Sequence, residues 1–111
     1  MQAAWYVLQV IVLKIIKNMN DLKKQLAKDV TINNELGLHA RPAAMVAELA
    51  SQAQSNVWLT KDDQCVDASS IIDILSLACL QGSTVTLQIE DPADAEILNK
   101  LYELFKSGFG E

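Results

Sequence analysis

The sequence predicts an α+β fold, an open-faced β-sandwich in which a four-stranded antiparallel sheet carries three helices on one face. Three observations carry this. Four short segments alternate apolar and polar residues, so each has one face to bury. Three further segments, one of them short, are apolar at helical spacing. Their order, β-α-β-β-α-β-α, lets every helix pack on the same side of one sheet.

The first strand of the domain is expected near Asp29, where Val30 and Ile32 alternate with polar neighbours. Asn33 to Gly37 reads as a loop. From Ala40 to about Ala53 the apolar residues Val46, Leu49, Ala50 and Ala53 form one stripe, and Pro42 fits only the first helical turn, where its missing N–H costs nothing. Val57-Trp58-Leu59-Thr60 and Cys65-Val66-Asp67 flank the turn Lys61-Asp62-Asp63-Gln64, which makes a hairpin. A short helix runs from about Ser70 to Leu77. Ser70-Ile71-Ile72-Asp73 fits a capping box, with Asp73 reaching back to the cap. Thr84 to Ile89 is the last strand, and Asp91-Pro92 breaks the chain. Ala95, Leu98, Leu101, Tyr102 and Phe105 then line a final helix that ends at Gly108 and Gly110.

The length of 111 residues suits one domain, residues 29–111, preceded by an extension over residues 1–28. Ala3 to Leu13 is apolar except for Gln9, too short to span a bilayer and without the marks of a secretory signal. It reads as a membrane-surface extension, an oligomerising tail or translated upstream sequence. The last is the expectation, with Met19 as the true first residue. The lysine-rich stretch 20–28 reads as a linker or a helical lead-in. A net charge of −5 argues against a nucleic-acid partner. One histidine and two separated cysteines, Cys65 and Cys79, do not make a metal site, and no cofactor is expected. Free thiols and a cytoplasmic setting are the expectation.

The chemistry concentrates at the only histidine. In Gly37-Leu38-His39-Ala40-Arg41-Pro42-Ala43-Ala44 a glycine turn places an imidazole at a helix N-terminus beside a guanidinium. Helix-start N–H groups and the helix dipole favour an anion there and favour a neutral, nucleophilic ring. Arg41 adds a bidentate phosphate contact. No carboxylate acts as a base nearby in sequence, with Glu35 the nearest, and no Walker-type loop is present to bind ATP. An imidazole with phosphate-cradling groups and no substrate machinery suits a carrier, a covalent relay rather than an enzyme. A histidine-dependent hydrolase competes with it, but a partner acid is missing.

The eight-residue run resembles the active-site motif of HPr, the histidine-containing phosphocarrier of the phosphoenolpyruvate-dependent phosphotransferase system. The resemblance extends from about Asp29 to Phe105 and includes Asn34, Asp67-Ala68-Ser69-Ser70-Ile71-Ile72 and Gln81-Gly82-Ser83. It implies that His39 is phosphorylated on Nδ1 by Enzyme I and passes the group to an EIIA domain, with Arg41 steadying the phosphoryl group and Pro42 fixing the helix start. It also implies that Ser70 is the regulatory target of HPr kinase/phosphorylase, although Ser69 stands where family members often carry lysine; the competing reading is then a non-carrier regulatory module controlled by Ser70. Ala40, Ala44 and Met45 on one helix, with Ile71, Ile72 and Leu75 on the next, would form the partner-binding surface. Ile71, Ile74 and Leu77 share one face of that short helix; Ile72 and Leu75 fall off it. The chain is expected to act as a monomer without stable membrane insertion.

Overall fold

The structure, a computed structural model, describes residues 2–111. The elements run α1 (Gln2–Leu26), β1 (Ala27–Thr31), α2 (Ala40–Ala50), β2 (Val57–Lys61), β3 (Gln64–Asp67), α3 (Ile71–Ser76), β4 (Thr84–Ile89) and α4 (Ala95–Lys106). Single turns of 3-10 helix lie at Pro92–Asp94 and Gly108–Gly110. From β1 onward this is the predicted order. The four strands form one antiparallel sheet in the order β1-β4-β2-β3.

Period-two patterning explains the sheet. Val30 lies opposite Val85, and Leu59 opposite Leu87, so the buried residues of three strands fall on one face. The helices cover that face: Val46 and Ala50 of α2, Ile74 of α3, and Leu98, Leu101 and Phe105 of α4 are all buried. Asp94 ties two helix ends together. Its buried carboxylate accepts from the N–H groups of Gln54 and Ser55, just past α2, at 2.8 and 3.0 Å.

Several expectations are corrected in detail. α2 ends at Ala50, because Ser51 to Ser55 turn toward the Asp94 carboxylate. Only half of the capping box forms. Ser70 Oγ accepts from the Asp73 N–H at 3.2 Å, but the Ser70 N–H donates to the carbonyl of Asp67 instead of the Asp73 side chain. In α3, Ile74 and Leu77 are buried while Ile71, the first residue after the cap, is 41 % exposed. The lysine-rich stretch through Leu26 is helical, and β1 begins at Ala27. Cys65 is exposed and Cys79 buried, unpaired with each other; burial pushes the Cys79 thiol pKa up. No helix among the described residues is long and apolar enough to cross a membrane.

Candidate phosphorylation site

The site begins at a position that has no room for a side chain. Gly37 has φ +65°, and a Cβ there would lie 2.3 Å from the Cys79 carbonyl oxygen. That carbonyl accepts from the Leu38 N–H at 3.0 Å, and the buried Leu38 side chain pins the loop. The next residue, His39, is the N-cap of α2 with extended backbone, and its side chain makes no capping bond. The N–H groups of Ala40 and Arg41 therefore keep no partner among the described residues and stay available to an anion. Pro42 is buried in the first turn, where no hydrogen bond is lost.

His39 and Arg41 are brought together by a residue that local sequence reading missed. His39 Nε2 lies 2.5 Å from Glu111 Oε2, and Arg41 Nη2 lies 2.9 Å from the same oxygen. Asn34, itself buried, donates to the other oxygen at 2.9 Å and to the Gly37 carbonyl at 2.7 Å. The donors of Asn34, Arg41 and His39, in that order of influence, hold the Glu111 pKa at about 2 against an ordinary 4.5. The carboxylate is thus ionised at neutral pH and can only accept, so Nε2 carries the ring proton. In a neutral ring Nδ1 then holds the lone pair, and Nδ1 has no hydrogen-bond partner among the described residues.

Glu111 reaches His39 because the chain after α4 doubles back. Gly108, Phe109 and Gly110 have φ of 66°, 59° and 73°. The Phe109 ring is buried edge-on to Phe105 at 4.9 Å, and its carbonyl accepts from Arg41 Nη2 at 2.8 Å. An aromatic residue between two glycines was the available signal that this tail is anchored. The acid missing from the hydrolase reading thus exists, but it serves Nε2 as an orienting partner.

The other predicted residues lie close by. Ala40 and Ala44 are exposed on α2 and Met45 is half-buried. α3 packs beside α2 and leaves Ile71, Ile72 and Leu75 exposed, with Ile72 at 79 %. Leu36 and Leu80, outside the sequence expectation, are also exposed, at 67 % and 70 %. Ser70 caps α3 and is partly buried.

A nucleophilic nitrogen with an oriented ring, at an open helix start and beside a guanidinium, has the make-up of a protein phosphocarrier. A family model described as the PTS HPr component phosphorylation site matches residues 26–107, and the chain belongs to the HPr family of the bacterial phosphotransferase system. It is 42% identical over 86 residues to phosphocarrier protein HPr of Cupriavidus necator, covering 78% of this chain and 97% of that relative. The crystal structure of HPr-C-His from Thermoanaerobacter tengcongensis matches with a TM-score of 0.73 and 41% identity, over 77% of this chain and 96% of that one. Crh, the catabolite repression protein of Bacillus subtilis, crystallised as a swapped dimer, matches with a TM-score of 0.59 and 37% identity, over 70% of this chain and 90% of that one.

Proposed function

We propose that residues 29–111 form a phosphocarrier domain, with residues 1–28 an extension. His39 Nδ1 accepts a phosphoryl group from phosphorylated Enzyme I and passes it to an EIIA domain. The observation that carries this is the bond from His39 Nε2 to Glu111, which leaves the Nδ1 lone pair unused. In the transfer, that lone pair forms the new P–N bond while the bond to the donor breaks and its electron pair stays with the donor. The positive charge gained by the ring lies against Glu111, and the phosphoryl oxygens meet Arg41 and the Ala40 and Arg41 N–H groups. Because Arg41 is bonded to Glu111 before transfer, it exchanges a carboxylate for the phosphoryl group during it. Transfer onward is the same step in reverse on a second acceptor.

The α2–α3 surface is proposed as the docking face, since Ile72 and Leu75 expose apolar area beside Ala40, Ala44 and Met45. The test is incubation with Enzyme I and phosphoenolpyruvate. The expected result is an acid-labile phosphate on the wild type and none on His39→Ala. No uptake by the wild type from a competent Enzyme I would overturn the proposal.

A second role, regulation through Ser70, is favoured by where its hydroxyl lies. Its hydroxyl sits at the N-terminus of α3, where a phosphate is electrostatically favoured. ATP-dependent, acid-stable labelling by HPr kinase/phosphorylase, lost in Ser70→Ala, is the expected mark of that role.

A further inference from the structure

Eleven of the sixteen exposed large apolar side chains among the described residues lie on α1, between Trp5 and Leu22. A continuous apolar surface of this kind needs a cover, either a second copy of the helix or a lipid surface. Trp5, Leu8, Val12, Ile15, Met19 and Leu22 do follow the three-four spacing of a coiled-coil seam, which crosses Met19 without losing register. A two-helix seam, however, leaves Tyr6, Val7 and Leu13 in water, and these are 68 %, 55 % and 62 % exposed. Of the positions flanking the seam between Gln9 and Gln25, only Lys23 is charged, so a second copy would find no complementary charge.

We propose that α1 is a peripheral anchor that binds the surface of a bilayer containing anionic lipid. Charge supports this choice. α1 carries Lys14, Lys17, Lys23 and Lys24 against the single Asp21, in a chain whose net charge is −5. A basic helix on an acidic protein is drawn to an anionic surface by that helix, while the remainder of the protein is repelled from it. The charge of α1 is confined to its second half, where Ile15, Ile16, Met19 and Leu22 lie among the lysines. Ala3 to Leu13 carries no charge, and every lysine of α1 lies after it. As a helix this apolar part is about 16 Å long, roughly half of a hydrocarbon core of about 30 Å. It can therefore bury itself in one leaflet without crossing, with the lysines at the headgroups and Trp5 and Tyr6 supplying large apolar rings.

The topology leaves the phosphorylation site clear of such an anchor. α1 joins β1 at Ala27, whereas the loop to His39 leaves β1 at its other end, after Thr31. Lipid binding by α1 is independent of phosphoryl transfer at His39.

The test uses the full chain carrying Trp58→Phe, so that Trp5 is the sole tryptophan and can be excited selectively. It is mixed with vesicles of phosphatidylglycerol and phosphatidylcholine, and with vesicles of phosphatidylcholine alone. The expected result is co-sedimentation with the anionic vesicles and a blue shift of Trp5 emission. Affinity should fall about tenfold or more in Lys14→Glu/Lys17→Glu, a double variant at exposed positions that leaves the circular dichroism of the domain unchanged. Failure to bind either vesicle overturns the proposal, as does equal binding to both. A dimer in sedimentation equilibrium that Ile15→Asp dissociates, with Trp5 emission unmoved by lipid, assigns the apolar face to a second copy and overturns it as well.

Discussion

Asn34 Nδ2 donates to Glu111 Oε1 at 2.9 Å, which leaves Oε2 free to hold His39 and Arg41 together. One buried amide thus divides the work of a carboxylate from the far end of the chain. The bond to Glu111 is made from a side chain that also closes the loop at Gly37, so loop shape and ring orientation depend on the same residue.

The Glu111 contacts predict an acid limb in stability. The folded-state pKa, about 2, lies below the ordinary 4.5. A depressed carboxylate contributes stability that is fully present above the higher value and is lost as pH falls through the lower one. Urea unfolding measured between these two pH values should show a decline in the wild type that is shallower in Glu111→Gln. Parallel curves for the two proteins would show that the contacts do not persist in solution.

Gly37→Ala should destabilise the domain by about 2–4 kcal/mol, since it adds left-handed strain to overpacking against backbone. The obstruction is the Cys79 carbonyl, which cannot rotate away as a side chain could. The denaturation midpoint should fall with the slope unchanged. A midpoint within error of the wild type would contradict this account of the loop.

Ser70→Ala should cost about 1 kcal/mol through loss of the α3 cap, whereas Ser70→Asp should retain the cap and melt close to the wild type. Comparing the two separates structure from signalling. If a negative charge at Ser70 is regulatory, Ser70→Asp lowers phosphorylation of His39 by Enzyme I although its thermal stability is kept. Equal phosphorylation of both variants would leave Ser70 a cap alone.

The sheet was legible because burial on one face imposes period two, and Val30, Ile32, Val85, Leu87 and Ile89 all show it. α2 was legible from Pro42 and the stripe after it, and His39 from its neighbours. What stayed hidden was built from distant partners. Glu111 is 72 residues from His39 and arrives through a left-handed turn centred on Phe109, a conformation that no local pattern announces for a non-glycine residue. Asp94 was passed over for the same reason, because the N–H groups it satisfies lie 39 and 40 residues away. The capping box was half right, since Asp73 competed for the Ser70 N–H with a backbone carbonyl already in place.

The contact between Gly37 and Cys79 reaches beyond the loop. Cys79 lies just past α3, where Lys61 Nζ also holds the Leu77 and Ala78 carbonyls. The segment leaving α3 is therefore clasped from two directions, by the hairpin below and by the His39 loop beside it. If the proposed docking face is used, a protein seated on Ile72 and Leu75 touches a helix whose exit is hydrogen-bonded to the loop that carries the imidazole. On that reading, docking and aim are coupled through one backbone hydrogen bond, from the Leu38 N–H to the Cys79 carbonyl.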